Sequence, residues 1–258
     1  MGAGAARVAG VTDEAITETE IEFRSDVTVE IVRASASDSD VLFAARVSTM
    51  GEQTLESAAA GTEASARDRG LINYLMRDRH GSPFEHNSMT FYVQAPIFVF
   101  REFMRHRIAS YNEESGRYRE LRPVFYIPAP ERNLIQIGKT GHYEFIPGTP
   151  EQTELVQAEA RATSIAAYEA YQRILEAGVA REVARIVLPL NIYSSMYVTM
   201  NARSLMNFLS LRTKREGTHF PSFPQREIEM VAEQMEALWA PLMPYTHEAF
   251  NENGRVAP

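Results

Sequence analysis

Apolar and polar residues alternate with a period of two in three stretches of this 258-residue chain, and each reads as a strand with one buried face. Residues 27–32 run Val-Thr-Val-Glu-Ile-Val. Met89, Phe91 and Val93 alternate with Thr90, Tyr92 and Gln94. Ile192, Ser194, Met196, Val198 and Met200 share one side of a third stretch. Helical spacing marks the rest. Residues 37–48 predict a short helix, with Asp38, Ser39 and Asp40 as capping types and Val41, Leu42, Ala44 and Ala45 on its apolar side. Leu71, Ile72, Leu75 and Met76 form one stripe of a helix over 62–79. Ser82-Pro83-Phe84-Glu85 carries the pattern of a capping box with Pro at the first helical position. Residues 96–105 are apolar nearly all round and predict a buried helix. Residues 151–178 predict the longest helix, with Leu155, Ala162, Ile165, Ala166, Tyr171, Ile174 and Leu175 on its stripe. A short helix over 180–187 shows Val183, Ile186 and Val187 as core, which sets Arg185 near buried surface. Asn201 suits the N-cap of a helix over 202–212, and 225–242 form a final amphipathic helix through Ile228, Val231, Met235, Leu238 and Trp239. Between them, 50–61 and 213–222 read as loops and 131–150 as a surface excursion. Strands and helices mix without the βαβ rhythm of a parallel sheet. The expectation is an α+β fold, a mixed sheet packed with helices, in one domain over 1–258 whose residues 1–20 form a loose arm.

Residues 105–117 break the pattern. They hold three arginines, a histidine, two carboxylates, two serines, an asparagine and a tyrosine, with only two aliphatic side chains. The preceding buried helix would deliver Arg105, His106 and Arg107 from a rigid base, and an irregular loop would follow. Guanidinium groups stay charged and donate bidentate hydrogen bonds, so this density of arginine suits a phosphorylated ligand. The alternative is a set of surface arginines paired with Glu102, Glu113 and Glu114. A second group lies at Asn201, Arg203 and Asn207. Arg203 and Asn207 share a helix face, and the helix N-terminus favours an anion. Arg212, nine residues beyond Arg203, points about 180° away at 3.6 residues per turn. The two can therefore serve different ligands or different subunits. Arg185 alone reads as a structural ion pair.

Charge and composition narrow the function. The net charge is −8, which weighs against a general nucleic-acid binder. There is no cysteine, which removes disulfides, thiolate nucleophiles and Cys-based zinc sites. His80, Glu85, His86 and His106 lack the spacing of a helical metal site, so no metal is expected. No stretch has the length of a membrane helix and no signal peptide is legible, so a cytoplasmic protein is expected. A nucleotide- or RNA-binding module using the arginine loop, and a metal-dependent nucleotide hydrolase, are the rival classes.

Arg105-His106-Arg107, seven residues, then Ser115 resembles the signature of the flavin-dependent thymidylate synthases. The resemblance extends from about residue 41 to about 242 through Ser82-Pro83-Phe84-Glu85-His86, Ala95-Pro96-Ile97-Phe98-Val99, residues 181–190 and residues 201–212. It implies the α+β fold peculiar to that family, a homotetramer, and active sites shared between subunits. It also implies methylation of dUMP to dTMP with 5,10-methylenetetrahydrofolate as carbon donor, FAD as the flavin and NADPH as the reductant. A flavin enzyme of this kind needs no cysteine nucleophile. By the same resemblance, FAD would rest on Ser82, Arg105, His106, Arg107, Glu113, Asn201, Arg203 and Asn207, with His80 near the flavin ring. The nucleotide would rest on Glu102, Phe103, Met104, Arg105, Glu113, Glu114, Ser115, Gly116, Arg117, Arg185 and Arg212. Arg212 would be catalytic, favouring ionisation at the uracil N3. Glu102 stands where some relatives have Gln. His219, in a longer 213–222 loop, stands in for a flavin-proximal histidine.

Overall fold

The structure, a computed structural model, describes residues 21–52, 66–139 and 141–258. The expected arm, most of the 50–61 loop and the first residues of the expected 62–79 helix lie outside them. The centre is a four-stranded antiparallel sheet in the order β2-β3-β8-β4. Its strands are β2 (Thr28–Ser35), β3 (Ser88–Pro96), β4 (Ser110–Glu113) and β8 (Tyr193–Met200). β3 and β8 pair from Met89↔Met200 to Pro96↔Tyr193, and the period-two pattern is what buries one face. Met89, Phe91, Val93, Met196, Val198 and Met200 all point into the core. Parallel pairing occurs apart from this sheet, between β1 (Glu22–Arg24) and β5 (Val124–Tyr126).

Six described helices contribute to the main core beside that sheet: α1 (Asp38–Met50), α2 (Ala66–Arg77), α3 (Ile97–Phe103), α6 (Ala202–Arg212), α7 (Arg226–Trp239) and α8 (Pro244–Glu252). On α7, Ile228, Val231, Ala232, Met235 and Trp239 keep helical spacing and are all fully buried. Each large side chain buried in this way contributes about 1.5–3 kcal/mol. A smaller core gathers Leu121, Phe125, Tyr168, Tyr171, Ala184 and Ile192 around α4 (Pro150–Glu176). Thr149 and Gln152 close a reciprocal capping box at the start of α4.

Several elements depart from the periodic reading. The loop expected after Arg107 returns as β4, pairing with β8 from Ser110↔Thr199 to Glu113↔Met196. The 131–150 excursion is a hairpin, β6 (Asn133–Lys139) and β7 (His142–Pro147). Ser82–Glu85 forms a 3-10 turn with Gly81 at its N-cap and no side-chain cap, so the capping box there is absent. The 180–187 helix is one short turn, α5 (Arg181–Ala184), followed by a 3-10 turn over Arg185–Val187. Val183 is 49% exposed and Ile186 76%, so neither is core, and Arg185 is exposed as well. Leu155 and Ile165 of the expected α4 stripe are exposed too. In α3 the buried positions are Val99, Phe100 and Phe103, with Arg101 on the outside.

α8, which follows α7, is additional to the helices that periodicity predicts. Its N-terminus is capped from a distance. The buried Asp38 carboxylate accepts from the Tyr245 and Thr246 amides at 2.8 and 3.0 Å and from the Thr246 hydroxyl at 2.7 Å. Ser37 is the residue that caps α1 itself, accepting from the Asp40 amide.

Candidate active site

α3 ends at Phe103, and the chain turns through Arg105, His106 and Arg107 into β4. Phe103 is fully buried and stacks on Phe208 of α6, ring centroids 4.4 Å apart. Any contact it makes with a ligand is therefore through its backbone. That stack sets α6 against α3, so Arg212, one turn beyond Phe208, reaches two of the predicted residues. Its Nη1 pairs with the Glu102 carboxylate, and its Nε donates to His106 Nε2 at 2.9 Å. His106 also packs edge-on against Phe208. Burial, with the Arg212 charge added, lowers its pKa from the ordinary 6.5 to about 4. It is a neutral acceptor near neutral pH. The Tyr111 hydroxyl donates to the main-chain oxygens of His106 and Phe103 at 2.7 and 3.1 Å, which fixes this turn. Burial raises that phenol to about 12.

Arg105 and Arg107 are exposed, and among the described residues neither has a carboxylate in ion-pair reach. Glu102 and Glu114 are taken by other partners, Arg212 and Arg119. The simple surface pairing with Glu102, Glu113 and Glu114 is thus not what the fold adopts for them.

A second group surrounds the start of α6. The Asn201 side chain accepts from the Ser204 amide at 2.9 Å, and Asn87 Oδ1 accepts from the Ala202 amide at 2.8 Å. These two contacts use amides that an anion would otherwise take. Arg203 pairs with Glu85 and donates from Nε to the Pro258 main-chain oxygen at 2.6 Å. Arg203 and Arg212 thus have separate neighbours, as their angular spacing predicts. Asn207 and Ser82 are exposed, and His80 stacks on Tyr74 with centroids 5.6 Å apart. His219 lies on the surface, its amide bonded to the Gly254 oxygen.

The third group lies where β4 leads into residues 114–121. Burial raises the Glu113 carboxyl above its ordinary value, while the Ser194 hydroxyl and Arg185 guanidinium pull it the other way. Glu114 accepts from the Ser195 hydroxyl at 3.1 Å, and Arg119 lies 3.0 Å from its other oxygen. Arg117 pairs with Glu182 at 2.9 Å, tying this loop to α5. Gly116 is buried, and a Cβ there would stand 3.3 Å from the Arg185 Cδ. Ser115 accepts from the Arg117 amide at 3.3 Å. An open cleft of about 280 Å³ is lined here by Tyr92, Asn112, Glu113, Glu114, Arg119 and Tyr197, among others. Tyr92, Arg119 and Tyr197 were not in the predicted set. The signal was available, because Tyr92 and Tyr197 occupy outward positions of alternating strands. A larger cavity, about 390 Å³, lies between the β6–β7 hairpin and α7 and contains none of the predicted residues. The cleft holds Glu113 and Glu114 of the predicted set, and Arg119 is the arginine that lines it. Among the described residues no cluster of three or more His, Asp and Glu could hold a metal ion, and no helix is long and apolar enough to cross a membrane.

An antiparallel sheet with exposed arginines next to its β4 strand, in a chain without cysteine, defines the class: an α+β protein. The profile of the Thy1 family, thymidylate synthase complementing protein, matches residues 30–245, and the chain belongs to this family of flavin-dependent thymidylate synthases. A flavin-dependent thymidylate synthase of Streptomyces coelicolor is 66% identical over 249 residues, 96% of this chain and 100% of the relative. One from Thermotoga neapolitana is 44% identical over 222 residues, 86% and 89% of the two chains. Among solved structures, a UMP/dUMP methylase of Streptomyces cacaoi bound with 5-Br dUMP superimposes with a TM-score of 0.86. It is 56% identical, covering 92% of this chain and 100% of the other. The same methylase bound with 5-Br UMP gives a TM-score of 0.84 at 55% identity.

Proposed function

We propose that this protein converts dUMP to dTMP, taking the carbon from 5,10-methylenetetrahydrofolate and the reducing equivalents from NADPH through FAD. The observation that carries the reading is the meeting of Arg212, Glu102 and His106. It joins the end of α6 to the segment bearing the family signature, with the unpaired Arg105 and Arg107 beside it. The donor set fits FAD: two exposed guanidinium groups for a diphosphate and the exposed Asn207 amide. FAD, when bound, would supply the hydride chemistry that no protein side chain can supply.

The protein's own part is binding and polarisation. Arg117 and Arg185, joined to the same loop, suit the nucleotide phosphate, and Ser115 lies next to them. Arg212 is a fixed cation, held by Glu102 on one side and by a neutral imidazole on the other. Placed beside the uracil N3, it favours the ionised ring and so activates the carbon to be methylated. Among the described residues Ser115 has no base partner, and it serves as a hydrogen-bonding group.

In the proposed homotetramer with shared sites, the apolar side chains that the fold leaves exposed are where subunits would meet. Val179, Val183, Ile186 and Leu190 stand on the surface around α5, next to Arg185 and Arg117. Exposed apolar side chains this near one another in the chain suit a docking face. The second subunit would complete the nucleotide site that Arg185 borders.

The test is direct. Protein incubated with excess FAD and desalted is expected to show the flavin bands in the visible spectrum. It should then form dTMP only when dUMP, methylenetetrahydrofolate and NADPH are all present, with UMP assayed as the competing nucleotide. A protein that stays colourless, and instead binds an oligonucleotide with a steep salt slope, would overturn the reading in favour of a nucleic-acid module.

A further inference from the structure

Residues 253–258 follow α8 and pass close to both ends of α6. Arg255 is 6% exposed. Its Nη2 donates to the Thr213 hydroxyl at 3.0 Å, and Nη1 and Nη2 reach the two Glu236 oxygens at 2.7 and 3.0 Å. Its φ of +56° is left-handed, a conformation that a side-chain-bearing residue keeps only when its surroundings fix it. Thr213 is 1% exposed and is the residue after Arg212. Its hydroxyl also donates to the Leu209 oxygen at 2.7 Å, so both its donor and its acceptor capacity are used.

The other end is held as closely. Arg79, also left-handed at φ +64°, donates from Nη1 to the Val256 and Ala257 oxygens at 2.9 and 3.0 Å. It immediately precedes His80, Gly81 and Ser82. The Pro258 oxygen accepts from Arg203 Nε at 2.6 Å. A Cβ added to Gly81 would stand 2.6 Å from the Arg203 Cζ and 2.7 Å from that same oxygen. Turn, arginine and tail are in van der Waals contact with no room between them.

We propose that residues 253–258 are positioning residues for the active site: Arg255 aims Arg212 through Thr213, and the 256–258 backbone aims Arg203 and the His80–Gly81–Ser82 turn. The inference rests on the reading of Arg212 as the nucleotide's arginine and Arg203 as the flavin's. One segment then sets the spacing of two ligands bound to opposite ends of one helix. Small displacements of such groups are costly, since a shift of about 1 Å is enough to cost on the order of a hundredfold in rate.

The test uses the FAD-loaded enzyme and two readouts: the FAD dissociation constant from flavin fluorescence, and kcat and KM for dUMP. Thr213→Val removes the hydroxyl without changing side-chain shape. It is expected to lower kcat/KM for dUMP by roughly tenfold, the loss of one hydrogen bond to a charged donor, with FAD affinity retained. Thr213→Ser is expected to restore the wild-type value. Deletion of residues 256–258 is expected to weaken FAD by a similar factor while changing the dUMP KM less. Arg79→Met, which frees two of the same carbonyls, replaces the deletion if the shortened chain does not accumulate. Equal effects on both ligands, or a lowered melting temperature with both affinities unchanged, would overturn the proposal. Arg212→Ala and Arg203→Ala are measured alongside. If those parents show no split between nucleotide and flavin, the assignment of the arginines fails. If they show it and the tail variants do not, only the role of the tail fails.

Discussion

Arg212 is held from both sides, by the Glu102 carboxylate and by the lone pair of His106. Its position rather than its charge alone is what the protein controls. Arg212→Ala is expected to retain FAD and lose dTMP formation, read by the flavin spectrum and the product assay. The same variant removes one of the two causes that lower the His106 pKa. Burial, the larger cause, persists, so His106 is expected to titrate above about 4 yet below 6.5 when followed by NMR. Arg203→Ala is expected to weaken FAD binding more than dUMP binding, measured by fluorescence titration and by KM. The opposed placement of these two arginines was legible from their spacing alone, because an α-helix converts nine residues into a half-turn. Their partners were not, because Glu85, Glu102 and the Pro258 oxygen come from distant parts of the chain.

Among the elements, those whose side chains alternate against one core were readable in advance. β3, β8, α6 and α7 fall where their patterns place them. β4 was not readable, since residues 110–113 carry no apolar alternation and are held in the sheet by backbone pairing to β8. α8 escaped for another reason: its cap is Asp38, about two hundred residues earlier. The contact between α7 and the residues after α8 has a pH signature. Burial alone would raise the Glu236 carboxyl, but hydrogen bonds from His247 and Arg255 lower it from 4.5 to about 2. A carboxylate lowered on folding stabilises the native state above its unfolded pKa and loses that contribution as pH falls through the folded value. Between pH of about 4.5 and about 2 the wild type is therefore expected to lose stability, by thermal melting, more steeply than Glu236→Gln.

At the scale of the molecule, the chain exposes apolar residues that a helical reading assigned to the core. α5 is a single turn, so Val183 and Ile186 have no second layer to bury them within one subunit. Periodicity reports that a face will be covered but not whether the cover belongs to the same chain. For the proposed homotetramer, Ile186→Glu is expected to give a smaller species in sedimentation and to reduce dTMP formation together with it, because Arg185 stands on the same 3-10 turn. Cores closed within one chain should be untouched, so the far-ultraviolet circular dichroism of that variant is expected to match the wild type.

The chain has one tryptophan, Trp239. It is fully buried at the end of α7, its ring 5.3 Å from His247 and 6.2 Å from Phe250, both on α8. The single tryptophan fluorophore thereby lies against the helix that launches residues 253–258. A shift of its emission to longer wavelength reports water reaching the α7–α8 contact. Stopped-flow traces of that emission would time the docking of this segment separately from the flavin's own signal, giving a clock for each.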